Sequence, residues 1–252
     1  MTQYFLPIKK LRDKPYSDIL GFPKATKRQI ESRVCELQKL GVLSIAFVGP
    51  IKIGRLSVLG KGYVGIVVLA KIKNKNFALK IRRTDSIRDE MNNEARLLNI
   101  ANQVNVGPEL VQSSKNFLIM EFIRGKKIIN WISEVKKRNS KIIKCVIKQI
   151  LLDCFLLDQV GLDHGELSVL NKHVLITNKK PTIVDFESSS ICRKTSNVSS
   201  AVQAILIGTG LAKIIRGKIK VPTKNKIIES VQNYKKMKTQ ESFDELLAKL
   251  KL

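Results

Sequence analysis

The sequence is poor in the residues that build metal-stapled or disulfide-linked domains. Its 252 residues include two histidines and four cysteines, and no two cysteines form a Cys-x-x-Cys pair. This usage disfavours a structural zinc site or a disulfide framework and is typical of a protein in a reducing cytoplasm. A chain of this length can bury a sizeable hydrophobic core without such links.

Long apolar runs are also lacking. The uncharged stretch 197–212 contains Asn, Ser, Gln, Thr and Gly and is too short to span a bilayer. Residues 1–10 have no long apolar core after their first charges, which predicts that no signal peptide is present. We therefore expect a soluble, cytoplasmic protein with no membrane partner.

Acidic residues are scarce relative to basic ones. The chain has 21 Asp and Glu against 46 Lys and Arg, a formal net charge of +25. Residues 124–148 hold nine basic residues and one acidic residue, and residues 213–252 hold eleven and four. These segments suit contact with RNA or a ribonucleoprotein, and a solvated lysine face is the equally good alternative. Aromatic residues are too sparse there for stacking on bases.

Hydrophobic periodicity predicts an α+β chain. The first fifty residues form a helix that stops at Gly41 and a strand, too little to fold alone, so we expect them to pack on the residues after them. The predicted strands are 43–48, 53–59, 66–72, 76–81, 110–111, 116–122, 174–176 and 182–184. The predicted helices with both bounds are 26–40, 128–137, 141–160, 198–216, 226–237 and 242–250. A further helix is predicted to start near Ser86, with Asp89 as capping partner and an apolar stripe of Ile87, Met91, Ala95 and Leu98.

A glycine-rich turn joins two of the predicted strands in the pattern G-x-G-x-x-G-x-V. The residues of interest are Gly60, Lys61, Gly62, Tyr63, Val64, Gly65 and Val67. Glycines allow the backbone to approach phosphates closely, with amide hydrogens directed at the anion. A dinucleotide-binding fingerprint would lead into a helix, whereas this turn leads into a strand. A simple hairpin turn is the alternative.

Lys80 ends a strand directly after three apolar residues, which include Ala78. An ammonium group on a buried strand needs a partner because an unpaired buried charge is costly. Glu94 borders the apolar stripe of the following helix and can supply that partner. The alternative is a lysine that reaches from the strand end to solvent.

Two further motifs complete the set: the segment from Asp163 to Asn171, and Asp185-Phe186-Glu187 after it. The order of these parts along the chain resembles that of the motifs in the protein-kinase superfamily. The parts are the glycine turn, Lys80, Glu94, the strand 116–122, His164-x-Glu166-Leu167-x-x-x-Asn171 and Asp185-Phe186-Glu187. The His-Gly-acid form of the loop resembles the small atypical kinases. These include the RIO type, the small kinase of tRNA threonylcarbamoylation, the aminoglycoside-phosphotransferase-like enzymes and an archaeal-type predicted serine/threonine kinase.

The resemblance implies a bilobal kinase-like fold of the α+β class. Residues 1–52 would be a short extension of a helix and a strand, for which a winged-helix-like unit is one option, and residues 53–123 would be the small lobe, an antiparallel sheet with one helix. Residues 124–252 would be a minimal helical lobe. The short remainder after Asp185 contains no Ala-Pro-Glu tripeptide, so a full activation segment is not expected.

The resemblance also implies ATP- and Mg²⁺-dependent transfer of phosphate to Ser or Thr of a protein substrate. The glycine turn would cover the phosphates, and Lys80, held by Glu94, would contact the α- and β-phosphates. Asn171 and Asp185 would hold Mg²⁺, a cation that prefers oxygen ligands. Glu166 would be the catalytic base. The implied nucleotide site also includes Val67, Ala78, Met120 and the backbone of Glu121 and Ile123.

Two departures from the family pattern leave alternatives open. Glu166 stands where the family has aspartate, one methylene longer, and Glu187 stands where it has glycine. The retained phosphate and metal positions favour an active enzyme, with Asp163 less suited as base because it lies outside the matched frame. The alternatives are a nucleotide-binding pseudokinase or scaffold bound to an RNA-processing complex, and a small-molecule kinase. We interpret five further residues as structural: His164, His173, Cys145, Cys154 and Trp131.

Overall fold

The computed structural model describes residues 4–87 and 91–252. The chain divides into two compact units, Met1–Asn99 with Glu109–Phe122, and Ile100–Pro108 with Ile123–Leu252. The first unit contains an antiparallel sheet, and the second is mainly helical. The predicted α+β class is therefore confirmed.

Short strands and longer helices make up the regular structure of the described residues. The strands are β1 (Leu6–Pro7), β2 (Val42–Ala46), β3 (Ile51–Ile53), β4 (Leu56–Val58), β5 (Gly60–Lys61), β6 (Gly65–Ile72), β7 (Lys75–Arg82), β8 (Leu110–Ser113), β9 (Phe117–Glu121), β10 (Lys126–Lys127), β11 (Val174–Thr177) and β12 (Lys180–Ile183). The helices are α1 (Tyr16–Leu20), α2 (Lys27–Lys39), α3 (Asn92–Gln103), α4 (Ile128–Glu134), α5 (Ser140–Gln159), α6 (Leu170–His173), α7 (Asn197–Val202), α8 (Gly210–Lys218), α9 (Lys224–Met237) and α10 (Gln240–Leu250).

The N-terminal residues join the sheet of the first unit. Helix α2 begins after Thr26, which forms a capping box with Gln29, and it ends before Gly41 at a φ of +70°. Strand β2 then pairs antiparallel with β6, within the strand order β1-β2-β6-β7-β9-β8. The expectation that the first fifty residues pack on the residues after them is confirmed.

The two faces of this sheet have different partners. Side chains alternate along β6, so Ile66 and Val68 point to the face that buries Leu79 of β7. That face packs with Val34 and Leu37 of α2 in one hydrophobic core. The N-terminal segment therefore covers one face of the sheet and leaves the other for the residues of the candidate site.

Two predicted elements of the first unit have different bounds in the structure. The predicted strand 53–59 is a hairpin of β3 and β4, because Gly54 turns the chain at a φ of +57°. The predicted helix near Ser86 begins only at Asn92, and Ile87 is 98% exposed, so it does not belong to the apolar stripe. The capping partner Asp89 lies outside the described residues.

The second unit packs its helices around α5. Cys154 is buried on this helix, as predicted, but Cys145 is exposed because it lies off the stripe formed by Ile143, Val146 and Ile150. Phe155 stacks on Phe243 of α10 with ring centroids 4.5 Å apart. The strands β10, β11 and β12 form a small antiparallel sheet.

The predicted helix 198–216 is broken. It consists of α7, a π-helical turn at Gln203–Ile207 and α8, with a bend of 64° between Asn197–Ile207 and Gly210–Lys218. The helical hydrogen bonding is interrupted at Gly208, because glycine destabilises the interior of a helix. Across the described part of the chain, no single helix is both long and apolar enough to cross a membrane, and only this bent pair passes that test jointly.

Candidate functional site

In the first unit, four residues predicted at the nucleotide site share one face of the sheet. Val67 of β6 lies opposite Lys80 of β7, and Ala78 lies opposite Met120 of β9. Because side chains two residues apart on a strand point the same way, Ala78 and Lys80 project to the same side, and so do their partners. This is the face opposite the N-terminal core.

Lys80 and Glu94 form a buried ion pair. The Lys80 Nζ atom lies 2.8 Å from Glu94 Oε1, and each side chain is only 4% exposed. Lys80 reaches this position from β7, and Glu94 lies in the first turn of α3. Two charges this deeply buried are tolerated only when they are paired. The structure thus brings together the lysine and glutamate that the motif order predicts.

The glycine turn connects β5 to β6. The Gly62 N–H donates to Gly65 O at 2.8 Å, which closes the turn. Val64 is buried against Met91 and Ala95, whereas Tyr63 is 91% exposed at the tip. The turn is therefore a hydrogen-bonded hairpin in which the Val64 side chain is buried and the Tyr63 ring is exposed to solvent.

Arg83 fixes the turn from the end of β7. Its backbone N–H donates to Val64 O at 2.8 Å, and its guanidinium donates to Gly62 O at 3.2 Å. The guanidinium also lies 5.2 Å from the centre of the Phe22 ring, which Lys61 Nζ approaches to 4.6 Å. Arg83 is a residue that sequence reasoning missed, since its role depends on strand pairing rather than on a motif.

In the glycine turn, packing around Gly65 requires a glycine at that position. A Cβ atom built on Gly65 would lie 2.9 Å from Ile81 O and 2.9 Å from Lys80 Cγ. At Gly60 the same atom would make only an ordinary contact, 3.6 Å from Val67. The absence of a side chain at Gly65 therefore gives Lys80 room for its stem.

The two predicted adenine contacts have backbone partners within their own units. The Glu121 N–H donates to Glu109 O at 2.8 Å, so its amide is engaged inside the first unit. The Ile123 carbonyl accepts from the Gly125 N–H at 2.9 Å in the second unit.

In the second unit, a backbone bridge joins the loop at 163–171 to the segment after Asp185. Asp163 and Ser190 exchange two backbone hydrogen bonds of 2.9 and 2.8 Å. The Asp163 carboxylate is buried and accepts from Arg193 Nε and from the Ser196 N–H, each at 3.0 Å. Asp163 is thereby fully occupied in holding the loop.

His164 orders the loop as a neutral, buried side chain. Its backbone N–H donates to Asn197 Oδ1 at 2.8 Å, and its Nε2 lies 3.2 Å from Val184 O. Burial, followed by the proximity of His173, lowers the pKa of His164 to about 4. Its ring also packs on Phe186, with centroids 5.1 Å apart. These contacts agree with the structural interpretation of His164.

The β11–β12 hairpin places His173 beside the Asp-Phe-Glu segment. Val174 pairs with Ile183, and the Val184 N–H donates to His173 O at 2.9 Å, so the residues flanking the hairpin are neighbours. The His173 Nε2 atom lies 3.0 Å from Glu166 Oε2, and its Nδ1 atom lies 3.8 Å from Asp185 Oδ2.

These contacts make His173 the centre of the candidate site. Sequence reasoning treated it as structural, and the predicted hairpin after it was the signal that could have revealed its position. Ser188 was also missed: its Oγ donates to Glu166 Oε1 at 2.9 Å. Both oxygens of the Glu166 carboxylate are thus engaged, which fixes its orientation.

Asp185 has an unfavourable backbone conformation. Its φ of +72° lies in the left-handed region, which costs a residue other than glycine about 1–2 kcal/mol. Such strain persists where the surrounding structure enforces it, and it is common at functional sites. The residue that the kinase resemblance assigns to metal binding therefore has a strained backbone.

The side chains around His173 offer a set of metal ligands. One ligand atom each from Glu166, His173 and Asp185 lie within 4.8 Å of one another. Asn171, the other predicted ligand, lies on α6 two residues before His173 and is partly exposed. Carboxylate and imidazole donors at this spacing fit a divalent cation.

Comparison with known proteins agrees with this geometry. Residues 69–198, more than half of the chain, match the RIO domain family. An uncharacterized protein of Methanocaldococcus jannaschii is 35% identical over 103 residues, which is 40% of this chain and 84% of that protein. The trigger factor of Buchnera aphidicola subsp. Schizaphis graminum is 23% identical over 203 residues, 77% of this chain but 42% of that protein. The chain belongs to the RIO family of atypical kinases and has their kinase-like fold.

Proposed function

We propose that the protein is an ATP-dependent phosphotransferase that acts on serine or threonine of a protein substrate, with the Mg²⁺ that its family uses in general. The observation that carries this proposal is the hydrogen bond of 2.9 Å from Ser188 Oγ to Glu166 Oε1. A general base must accept a hydroxyl within about 2.6–3.2 Å, and Glu166 already accepts one at that distance. Ser188 thus stands in for the hydroxyl of a substrate.

The longer side chain of Glu166 is compatible with this role. His173 donates to one carboxylate oxygen and Ser188 to the other, so the extra methylene does not leave the group mobile. In the proposed reaction the substrate oxygen attacks the γ-phosphorus, its proton passes to Glu166, and the bond to ADP breaks. A divalent cation would neutralise phosphate charge, with Asp185 and Asn171 as the proposed ligands.

The first unit would bind the nucleotide. Lys80, oriented by Glu94, would contact the α- and β-phosphates, and the glycine turn would cover them. Val67, Ala78 and Met120 offer an apolar face for adenine. In this proposal 53–123 is the nucleotide lobe, 124–252 the catalytic lobe and 1–52 an extension that braces the sheet. The other proposed nucleotide contacts are Gly60, Lys61, Gly62, Tyr63, Val64, Gly65, Glu121 and Ile123.

Transfer from radiolabelled ATP tests the proposal. We expect autophosphorylation or phosphate release by the wild type, and a loss of at least 100-fold in Asp185→Asn. Asp153→Asn is the matched control, since it makes the same change at a buried carboxylate of α5 and should retain activity within about twofold. Turnover that survives Asp185→Asn unchanged would contradict the proposal. Binding of ATP without any transfer would support a pseudokinase, and transfer to metabolites alone a small-molecule kinase.

A second candidate function is binding of RNA or a ribonucleoprotein. The observation that favours it is a cluster of exposed cations before and along α5, namely Lys136, Lys137, Arg138, Lys141 and Lys148. Release of counterions from RNA would make such binding weaken steeply with salt. Reversal of these five charges should reduce the slope of log K against log salt, whereas reversal of exposed Lys9, Lys10 and Lys39 should not.

A further inference from the structure

His173 lies between two carboxylates but satisfies only one of its ring nitrogens. Its Nε2 is 3.0 Å from Glu166 Oε2, which is within the range of a hydrogen bond. Its Nδ1 is 3.8 Å from Asp185 Oδ2, beyond that range, and has no hydrogen-bond partner. The residue is only 5% exposed, so bulk water does not satisfy this nitrogen.

The two ring nitrogens of His173 have different neighbours. A carboxylate accepts hydrogen bonds, so Nε2 donates to Glu166 and Nδ1 is the nitrogen that faces Asp185 Oδ2. A ring nitrogen and a carboxylate oxygen that lie beyond hydrogen-bond distance of each other can both be ligands of one cation between them.

We propose that His173 Nδ1 and the Asp185 carboxylate are ligands of one divalent transition-metal ion, with Glu166 orienting the imidazole from its other nitrogen. Two donor atoms that each lie about 2.1 Å from one ion can be up to about 4.2 Å apart, so the observed 3.8 Å is compatible with a shared ion. A carboxylate that fixes the distal N–H of a ligating histidine is a common outer-shell arrangement.

This inference rests on the proposed function because it concerns the metal of the same site, and it changes the expected ion. Mg²⁺ prefers oxygen ligands and gains little from an imidazole. First-row transition ions accept mixed nitrogen and oxygen donors and bind such sites more tightly. The site should therefore select Mn²⁺ or Fe²⁺ over Mg²⁺, with His173 rather than Asn171 as the second ligand in the absence of nucleotide.

Pulsed EPR of Mn²⁺ bound to the full chain without nucleotide tests the assignment directly. We expect a nitrogen coupling on Mn²⁺ in the wild type that changes when histidine is labelled with ¹⁵N. The chain has only two histidines, and loss of the coupling in His173→Gln would assign it to His173 rather than to His164. The coupling in the wild type is itself independent of any effect of substitution on folding.

Variants then separate His173 from Asn171. His173→Gln should abolish the nitrogen coupling and weaken Mn²⁺ binding at least 10-fold, and Glu166→Gln should weaken it about 10- to 100-fold. Asn171→Ala should leave nucleotide-free binding within about twofold. Absence of a nitrogen coupling in the wild type, or loss of binding in Asn171→Ala but not in His173→Gln, would overturn the inference.

The two proposals fail in different ways. Nitrogen-coordinated Mn²⁺ without phosphate transfer would reject the phosphotransferase and keep the metal site. Phosphate transfer with Mg²⁺ that is equal in the wild type and His173→Gln, together with no nitrogen coupling, would reject the metal site and keep the phosphotransferase.

Discussion

Replacement of Gly65 by alanine tests the packing that positions Lys80. The added Cβ would lie 2.9 Å from both Ile81 O and Lys80 Cγ, a separation that real Cβ atoms do not adopt. A backbone carbonyl on the adjacent strand cannot yield cheaply, so β6 and β7 must separate or the Lys80 stem must move. Overpacking of this kind costs about 1–3 kcal/mol.

Gly60→Ala is the matched control in the same hairpin. Its Cβ would lie 3.6 Å from Val67, an ordinary contact. Both substitutions remove the same conformational freedom from the unfolded chain, a gain of about 0.4–1 kcal/mol that cancels when they are compared. The difference in unfolding free energy between the two variants therefore isolates the steric effect, and we expect Gly65→Ala to be less stable by about 1–3 kcal/mol.

Urea unfolding followed by far-UV circular dichroism measures that difference. Hydrogen exchange of peptides from β6 and β7 should show faster exchange in Gly65→Ala only. The chain has a single tryptophan, Trp131 in the second unit, so its fluorescence reports whether the effect remains in the first unit. Equal stability of the two variants would refute the argument that Gly65 is required by the Lys80 stem.

Three further predictions concern the second unit. Burial raises the pKa of Asp153 from 3.8 to about 6, so the contribution of this group to stability is greatest at low pH. The free energy of unfolding should fall by up to about 3 kcal/mol as pH rises from about 4 to 6. Asp153→Asn should remove this pH dependence in urea titrations. Burial lowers the pKa of His164 from 6.5 to about 4, so the free energy of unfolding falls as pH drops through that interval. His164→Gln removes the titrating group, so the free energy of unfolding of this variant should fall less over the same interval in urea titrations. Tyr234→Phe removes a buried hydrogen bond of 2.8 Å to Asp158 and should cost about 1.5–3 kcal/mol, whereas Tyr4→Phe at an exposed ring should cost less than about 0.5.

Local signals explain which parts of the fold could be predicted from the sequence. The sequence signals both ends of helix α2, with the capping residue Thr26 before it and Gly41 after it, and β6 is rich in Val, Ile and Leu. The hairpin of β3 and β4 was missed because alternating apolar residues lie on both sides of Gly54 and Arg55, and the whole segment resembles one strand. The break after α7 was missed because apolar residues of helical spacing run across Gly208.

The site divides in the same way. Lys80 and Glu94 could be paired from the order of motifs, because a strand and the helix after it bring a fixed pair of positions together. The roles of His173 and Ser188 depend on the β11–β12 hairpin and on the backbone bridge between Asp163 and Ser190, which no single motif encodes. Their contacts with Glu166 arise from tertiary folding and are visible only in three dimensions.

Phosphate transfer by Glu166→Gln tests the central claim most directly. Glutamine keeps the length of the side chain and its acceptor oxygen, but it cannot take a proton from a hydroxyl. We predict that, at Mg²⁺ concentrations that saturate both proteins, Glu166→Gln binds ATP as the wild type does, with KM within about threefold, while kcat for transfer falls about 100- to 10,000-fold. Transfer by Glu166→Gln at the wild-type rate would show that the base lies elsewhere and would contradict the account.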